Sequence, residues 1–254
     1  MPGSQTTSLI TGASAGIGHE YARQLAARGD DLVLVARDGA RLERVASELR
    51  RAHRVDVEVL VADLADRDAL ARVEARLADR ERPVDLLVNN AGFGLKKRFL
   101  DHSADEETAM LEVLVTAVLR LSHAALGAMA ERGHGGIINV SSVAAFLPRG
   151  TYSAAKAWVN SFSEWAHLEY RSRGVQVMAL CPGFTKTEFH ERMHLTRGDG
   201  FMWLDAEFLV RTSLKDFAKG RTYSIPGAQY KAVVALTRAI PSRALRLAQS
   251  VGRR

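Results

Sequence analysis

Short, continuously apolar segments alternate along the chain with longer segments of helical periodicity. The apolar segments predict six strands, at Thr7–Thr11, Asp31–Ala36, Val57–Ala62, Asp85–Asn89, Gly136–Ser141 and Val175–Cys181. The segments between them predict helices, at Ile17–Arg28, Arg41–Arg51, Ala65–Arg80, Asp105–Glu131 and Tyr152–Arg173. Strands that are apolar throughout are typical of a parallel sheet buried on both faces.

This alternation predicts the α/β class, with a single doubly wound parallel sheet of the Rossmann type and helices on both faces. No linker rich in proline, glycine or serine interrupts the chain, so we expect one domain over residues 1–254. Ligands of such sheets bind beyond the carboxyl ends of the strands, and the functional residues are expected there.

Composition narrows the class of protein. The chain has 254 residues, of which 47% are hydrophobic and 25% charged, as in ordinary globular proteins. No continuous apolar run reaches the ~18 residues of a membrane span, and the first residues lack the pattern of a signal peptide. Cys181 is the single cysteine, which excludes an internal disulfide. We therefore expect a cytoplasmic protein.

The positive charge is concentrated at the end of the chain. Residues 200–254 contain ten Lys or Arg against three Asp or Glu, whereas the first 199 residues contain 25 against 26. A nucleic-acid groove would need basic residues across the main domain, so we expect no nucleic-acid partner.

The first predicted strand runs into a glycine-rich turn, Thr11–Gly18. Gly12, Gly16 and Gly18 allow a tight turn and close approach of the backbone to a pyrophosphate, at the positive end of the next helix. The spacing is not G-x-G-x-x-G, and any α/β protein can use such a turn structurally. Its place after the first strand favours nucleotide binding.

The end of the second strand bears on the choice of cofactor. An acidic residue there would bind the ribose of NAD, but the chain has Ala36 followed by Arg37. A guanidinium can pair with the 2′-phosphate of NADP. The alternative is a solvated surface arginine. We expect NADP, with NAD as the less favoured cofactor.

Tyr152 and Lys156 are four residues apart at the start of a predicted helix, and therefore lie on one face. Lowering a tyrosine pKa from ~10 to ~7 requires about 4 kcal/mol. One cation at ~4 Å supplies about that much at an effective dielectric of ~20. Ser142, at the end of the fifth strand, could hold a substrate oxygen. The alternative for Tyr152 is an aromatic residue packed on the sheet.

Taken together, these motifs resemble the short-chain dehydrogenase/reductase family over residues 6–190. The motifs that carry the resemblance are Thr11–Gly18, Asp63–Leu64, Asn89–Gly92, Ser142, Tyr152 with Lys156, and Pro182–Gly183. The family implies an enzyme that transfers hydride between a nicotinamide and a carbonyl or alcohol carbon of a small molecule.

The resemblance also implies roles for individual residues. Tyr152 would donate or accept the proton, Lys156 would bind the nicotinamide ribose, and Ser142 would orient the substrate oxygen. The residues implied in cofactor binding are Gly12, Ser14, Gly16, Ile17, Gly18, Arg37, Asp63, Leu64, Asn90, Ala91, Gly92, Tyr152, Lys156, Pro182, Gly183 and Thr187.

Two features depart from the family. Leu114 occupies the position of an asparagine that supports a proton relay, and only ten residues separate Ser142 from Tyr152, fewer than is usual. Leu114 favours a rival interpretation, in which the chain is a non-catalytic nucleotide-binding or membrane-associated regulatory protein of the same fold. The intact Ser142, Tyr152 and Lys156 favour the enzyme.

The segment at about 184–204 is expected to form a substrate lid. It contains the zinc-like sequence His190-Glu191-Arg192-Met193-His194, but no third histidine follows, so we expect no metal. Its apolar side chains suit an apolar substrate, although a lid packed on itself would have the same sequence. These side chains are Phe189, Met193, Phe201, Met202 and Trp203.

The basic tail at about 229–254 permits two interpretations. Pro241 should interrupt a helix, and Ser242 can cap a second one with an apolar stripe. The stripe either packs on the domain or a second subunit, or lies on an anionic membrane surface. We also expect a homo-oligomer, paired through the long helices Asp105–Glu131 and Tyr152–Arg173.

Overall fold

The computed structural model describes residues 6–95, 98–187 and 200–239. The strands are β1 (Thr7–Thr11), β2 (Asp31–Ala36), β3 (Val57–Val61), β4 (Leu86–Asn89), β5 (Gly135–Val140), β6 (Val175–Leu180) and β7 (Tyr223–Ser224). The helices are α1 (Gly16–Ala26), α2 (Gly39–His53), α3 (Arg67–Ala78), α4 (Ala104–Leu111), α5 (Ala117–Arg132), α6 (Thr151–Tyr170), α7 (Ala206–Ala218) and α8 (Ala228–Ala239).

All seven strands form one parallel sheet in the order β3-β2-β1-β4-β5-β6-β7. The predicted fold class, a doubly wound parallel sheet, is confirmed. The order reverses between β1 and β4, which is the switch point where such sheets bind ligands. The six predicted strands agree with the structure to within one residue at each end.

The C-terminal elements α7 and β7 were not predicted, whereas α8 lies in the segment where Pro241 was expected to interrupt a helix. The strand β7 has two residues and pairs only with the end of β6, through Ala179 with Tyr223 and Leu180 with Ser224. A strand this short has no apolar pattern of its own, because its extended backbone depends on a partner from elsewhere in the chain.

Local capping explains where several helices begin. Asp38 and Asp66 accept hydrogen bonds from backbone N–H groups in the first turns of α2 and α3. Ser103 and Glu106 form a reciprocal capping box at the start of α4. The predicted helix Asp105–Glu131 is found, but a π-helical turn, Glu112–Thr116, joins α4 to α5. Apolar periodicity does not reveal such a turn.

Apolar side chains on both faces of the sheet hold the helices in place. Along β1, Leu9 belongs to the cluster under α3 and α5, and Ile10 to the opposite cluster under α1 and α2. Both side chains are completely buried, as the continuously apolar strands predicted.

Within the described part of the chain, one helical stretch, Ala104–Arg132, is long and apolar enough to cross a membrane by length and composition. Half of its most apolar window is buried in the protein, where Leu121 and Ala125 pack in the cluster under α3 and α5. A core helix of a globular domain passes the same test, because it also needs apolar side chains to pack against the sheet.

Candidate active site

The conformation of the turn after β1 depends on two glycines and on hydrogen bonds from Asn90. Gly12 and Gly16 have φ values of +66° and +57°, which side chains rarely allow. Asn90 Nδ2 donates hydrogen bonds to the carbonyl oxygens of Thr11 at 2.9 Å and Gly12 at 3.3 Å. The end of β4 therefore fixes the turn at the end of β1.

Gly18 lies behind this turn. A Cβ at Gly18 would come within 2.3 Å of the Gly12 carbonyl oxygen and 2.4 Å of Asn90 Nδ2. Gly18 does not line the cavity that the turn borders but packs against the turn from behind, and its contact with a cofactor stays a prediction. Its missing side chain lets α1 approach the turn.

The N-terminus of α1 faces the same turn. Ala15 precedes the helix, no side chain of the described residues caps it, and the first turn of α1 has no acidic residue. The N–H groups of the first turn and the positive end of the helix dipole suit the phosphates of a dinucleotide.

Two arginines follow β2. Arg37 is 68% exposed and its guanidinium is 3.8 Å from the Asp63 carboxylate. Arg41 also borders the cavity. The Asp38 carboxylate accepts a hydrogen bond from the Arg41 backbone N–H at 2.9 Å, so it is occupied as the cap of α2. This end of the cavity therefore offers two cations.

Ser142, Tyr152 and Lys156 come together at the end of β5. The Ser142 hydroxyl interacts with Tyr152 and accepts a hydrogen bond from Ala144 N–H at 3.1 Å. Lys156 Nζ donates to the Val140 carbonyl oxygen at 2.8 Å and lies 5.8 Å from the centre of the Tyr152 ring. A further bond, from Ser141 Oγ to the Lys156 carbonyl at 2.9 Å, ties α6 to β5.

Burial dominates the titration of these groups. It raises the pKa of the Tyr152 hydroxyl to about 12, an effect that the hydrogen bond with Ser142 partly offsets. Burial lowers the pKa of the Lys156 ammonium to about 8, partly offset by the Cys181 thiol. The pKa of Tyr152 thus moves opposite to the sequence expectation, because the loss of water on burial outweighs the hydrogen bond with Ser142.

The Lys156 shift predicts a pH-dependent stability. In the folded state the ammonium loses its proton near pH 8, but in the unfolded chain only near its ordinary value of 10.5. Between these pH values the unfolded chain binds more protons than the folded protein. Burial of Lys156 therefore destabilises the fold at neutral pH, and this destabilisation decreases as the pH rises. Lys156→Met should therefore be more stable than the unchanged protein at pH 7, by about 3 kcal/mol, and this advantage should shrink by pH 10.

Urea unfolding at both pH values measures this difference. Lys215→Met, which changes an exposed lysine on α7, is the matched control and should show no such trend. An advantage of Lys156→Met that stays constant with pH would contradict the buried, depressed ammonium.

Leu114 lies in the π-helical turn and is completely buried. It packs with Met110 and Ala155, and its Cδ2 is 2.8 Å from where a Cβ of Gly92 would be. An apolar side chain therefore occupies the space beside Gly92, close to Lys156.

One cavity of about 430 Å³ contains almost every predicted site residue, a size within the usual range of ligand sites. It is bordered by Gly12, Ser14, Gly16, Ile17, Arg37, Asp63, Leu64, Asn90, Ala91, Gly92, Ser142, Tyr152, Lys156, Pro182, Gly183 and Thr187. Cavity-lining residues that the sequence motifs did not identify include Asp38, Arg41, Phe93, Val113, Ser141 and Thr185. Arg41 could have been found from its position one turn into the helix after β2.

The cavity is elongated along the ends of the strands. Arg37 follows β2 and Ser142 follows β5, and three strand spacings of ~4.8 Å separate them, about 14 Å in all. Cations lie at one end, the glycine turn in the middle, and Ser142 with Tyr152 and Lys156 at the other. These residues fit an extended dinucleotide with a phosphate near Arg37.

The base of the predicted lid is partly described. Thr185 and Thr187 border the cavity, and Phe184 stacks on Trp203 with ring centres 5.4 Å apart. Phe189, Met193 and the sequence His190–His194 lie outside the described residues. Among the residues that are described, no group of His, Cys, Asp or Glu could hold a metal ion.

The chain is similar to known proteins over most of its length. The family model described as short chain dehydrogenase matches residues 6–197. A very-long-chain 3-oxoacyl-CoA reductase from Anas platyrhynchos is 35% identical over 195 residues, which are 74% of this chain and 62% of the relative. The chain thus spans less than two thirds of the length of this curated relative.

Two solved structures share the fold. A short-chain dehydrogenase from Sphingobium yanoikuyae in complex with NADPH has a TM-score of 0.85 and 36% identity, over 92% of this chain and 94% of that one. A bulky-bulky ketone specific alcohol dehydrogenase from Comamonas testosteroni has a TM-score of 0.80 and 33% identity, over 93% and 95% of the two chains. The expected NADP-type cofactor agrees with the NADPH complex. The predicted family is confirmed by these matches: the chain belongs to the short-chain dehydrogenase family.

Proposed function

We propose that this protein is an NADP(H)-dependent oxidoreductase that transfers hydride between the nicotinamide and a carbonyl or alcohol carbon. The observation that carries the proposal is the convergence of Ser142, Tyr152 and Lys156 in the same cavity as the glycine turn. Binding and proton transfer are thereby provided within one site, as a hydride-transfer reaction requires.

The bound nicotinamide supplies or accepts the hydride, and the chain's own residues handle the proton. The Tyr152 hydroxyl is the proton donor in the reductive direction, and its raised pKa of about 12 keeps it protonated at neutral pH. The Ser142 hydroxyl, which interacts with Tyr152, holds the substrate oxygen beside it. We propose carbonyl reduction as the direction, with Tyr152 as the proton donor.

Lys156 has a binding role in this scheme. An ammonium has three N–H donors, and one of them is used on the Val140 carbonyl. The other two can bind ribose hydroxyls of the cofactor, and its positive charge stabilises negative charge that develops on Tyr152.

We propose that Arg37 selects NADP over NAD by pairing with the 2′-phosphate. Its guanidinium is exposed at the cavity edge, Arg41 adds a second cation nearby, and Asp38 is occupied as a helix cap. A charge-assisted bond contributes about 1.5–3 kcal/mol, so Arg37→Ala should weaken NADPH binding roughly 10- to 150-fold and leave NADH binding almost unchanged.

Fluorescence titration with both cofactors measures the selectivity. Arg44→Ala removes an exposed arginine from α2 that does not border the cavity, and should leave both affinities unchanged. If the unchanged protein binds NADPH and NADH equally well, Arg37 does not select the cofactor.

The proposed substrate is a ketone with bulky or long apolar groups. Phe93, Val113 and Leu114 border the cavity, and Phe93 and Tyr152 pack against the apolar cluster that contains Leu114. The relatives named for very-long-chain 3-oxoacyl-CoA and for bulky ketones support the same substrate class.

A turnover screen tests the reaction and the substrate class together. Ketones of increasing apolar size, including 3-oxoacyl thioesters, are offered with NADPH and with NADH. We expect kcat/KM to rise with apolar size in the presence of NADPH. A protein that reduces no carbonyl and oxidises no alcohol with either cofactor would not be an oxidoreductase.

Leu114 supports the second candidate function, a non-catalytic nucleotide-binding or regulatory protein. Leu114→Asn restores the residue typical of the family but puts an amide into an apolar cluster. For an active enzyme we expect a less than tenfold change in kcat together with a lower Tm. An inert wild-type protein that gains activity with this substitution would instead support the regulatory role.

We also propose that the protein is a cytoplasmic homo-oligomer. Support comes from apolar side chains left exposed on the long helices, with Trp165 51% and Leu168 73% exposed on α6 and Leu119 44% exposed on α5. Light scattering should give a multiple of the 27.8 kDa chain mass, and Trp165→Arg should shift it towards the monomer.

The basic tail gives a secondary proposal of peripheral membrane contact. Residues 240–254 lie outside the described residues, so the proposal is supported by sequence alone. Sedimentation with anionic vesicles at low salt, with and without residues 242–254, tests it. Binding that is unchanged by the deletion would remove the tail from this role.

A further inference from the structure

Tyr230, in the first turn of α8, joins two separate parts of the chain. Its hydroxyl accepts a hydrogen bond from the Phe184 backbone N–H at 2.8 Å and donates one to the Met202 carbonyl oxygen. Phe184 follows the end of β6, and Met202 precedes α7. Burial raises the pKa of the Tyr230 hydroxyl, so it keeps the proton that it donates.

The ring of Tyr230 packs directly against the cavity wall. The residue is 2% exposed, and a Cβ at Gly183 would lie 1.9 Å from Cζ of the ring. Gly183 itself borders the cavity beside Pro182. The absence of a side chain at Gly183 is therefore what admits the tyrosine ring.

The two parts of the chain that Tyr230 joins are also paired with each other. Thr185 forms a parallel bridge with Leu204, whose N–H donates to the Phe184 carbonyl at 2.9 Å. Lys186 N–H donates to the Leu204 carbonyl at 2.9 Å, and Gln229 Nε2 donates to the Phe201 carbonyl at 2.9 Å. This pairing between the segment after β6 and the segment before α7 holds Thr185 and Thr187 at the cavity wall.

From these contacts we propose that Tyr230 is a positioning residue for the cofactor. It fixes the backbone of Gly183 and Phe184, and through them Thr185 and Thr187, at the end of the cavity that holds Ser142 and Tyr152. The inference rests on the proposed function, since this end is where that function places the nicotinamide. The C-terminal helix α8 thereby controls cofactor affinity without contacting the cofactor.

The test is the NADPH affinity of Tyr230→Phe, which keeps the ring and removes both hydrogen bonds of the hydroxyl. We expect the Kd for NADPH to rise roughly tenfold and the cofactor KM to rise with it, while kcat stays within about threefold. The matched control is Tyr21→Phe, which removes a buried hydrogen bond to Ser213, and neither of these residues borders the cavity. It should lower Tm without changing the Kd.

The outcomes separate the two proposals. Equal NADPH affinity in Tyr230→Phe and wild type overturns the positioning role and leaves the oxidoreductase standing. Binding of NADPH without turnover of any ketone overturns the oxidoreductase, while the affinity comparison still decides on Tyr230. A wild type that binds no NADPH overturns both.

If Tyr230→Phe does not fold, hydrogen exchange of the wild type tests the positioning role instead. Cofactor binding should slow exchange in the peptide covering residues 183–187 roughly tenfold, because the Phe184 amide is held against the occupied wall. Exchange of this peptide that NADPH leaves unchanged would contradict the proposal.

Discussion

Replacing Tyr152 by phenylalanine is expected to lower kcat by about 10²- to 10⁴-fold, the usual contribution of a positioned acid or base. The phenyl ring keeps the packing against Ala155 and Leu114, and only the hydroxyl beside Ser142 is lost. NADPH affinity should therefore stay within about threefold of the original value. Steady-state kinetics on a ketone found in the screen, together with cofactor titration, measure both quantities.

Tyr170→Phe is the matched control for this change. Tyr170 ends the same helix, where it stacks edge-on against Trp165, and it does not border the cavity. Its variant should keep full activity. Retention of most of the kcat by Tyr152→Phe would show that another group transfers the proton.

Replacing Gly18 by alanine is expected to weaken NADPH binding by at least about 100-fold and to lower Tm. The added Cβ would lie 2.3 Å from a backbone carbonyl oxygen, that of Gly12, which cannot rotate away as a flexible side chain could. Either α1 or the glycine turn must move, and both supply the N–H groups proposed to hold the phosphates. Calorimetric titration with NADPH and thermal unfolding report the two effects.

Gly127→Ala provides the control, because Gly127 lies within α5 and a Cβ there would meet no atom within 4 Å. Alanine is the better helix former by about 1 kcal/mol, so this variant should be slightly more stable with unchanged affinity. If Gly18→Ala binds NADPH normally, the turn is not the phosphate site.

The strands and the principal motifs could be predicted because their signals are local. A strand that is buried on both faces must be apolar throughout, as in Asp31–Ala36, and its bounds follow directly from the residues. The pair Tyr152 and Lys156 is similarly local, since four residues of helix place two side chains on one face. The family resemblance added Asp63, Thr187 and other residues that no local pattern marks.

Other features depend on contacts between distant residues. Gly18 has the same local appearance as Gly12, but only the packing of α1 against Asn90 shows that it lies behind the turn. The pKa of Tyr152 could not be predicted from its spacing to Lys156, because its direction depends on burial, which the hydrogen bond with Ser142 only partly offsets. Tyr230 carries no sequence signal at all.

The sequence by itself determined the doubly wound parallel sheet, the glycine turn and the residues able to carry acid–base chemistry, because periodicity and residue type act over a few positions. The tertiary structure alone decided which of these residues share a cavity, that Leu114 is buried beside Gly92, and that Tyr230 anchors the far wall. These features depend on desolvation and on contacts between segments far apart in the chain. Phe184 and Tyr230, 46 positions apart, become neighbours only when the sheet and its helices pack.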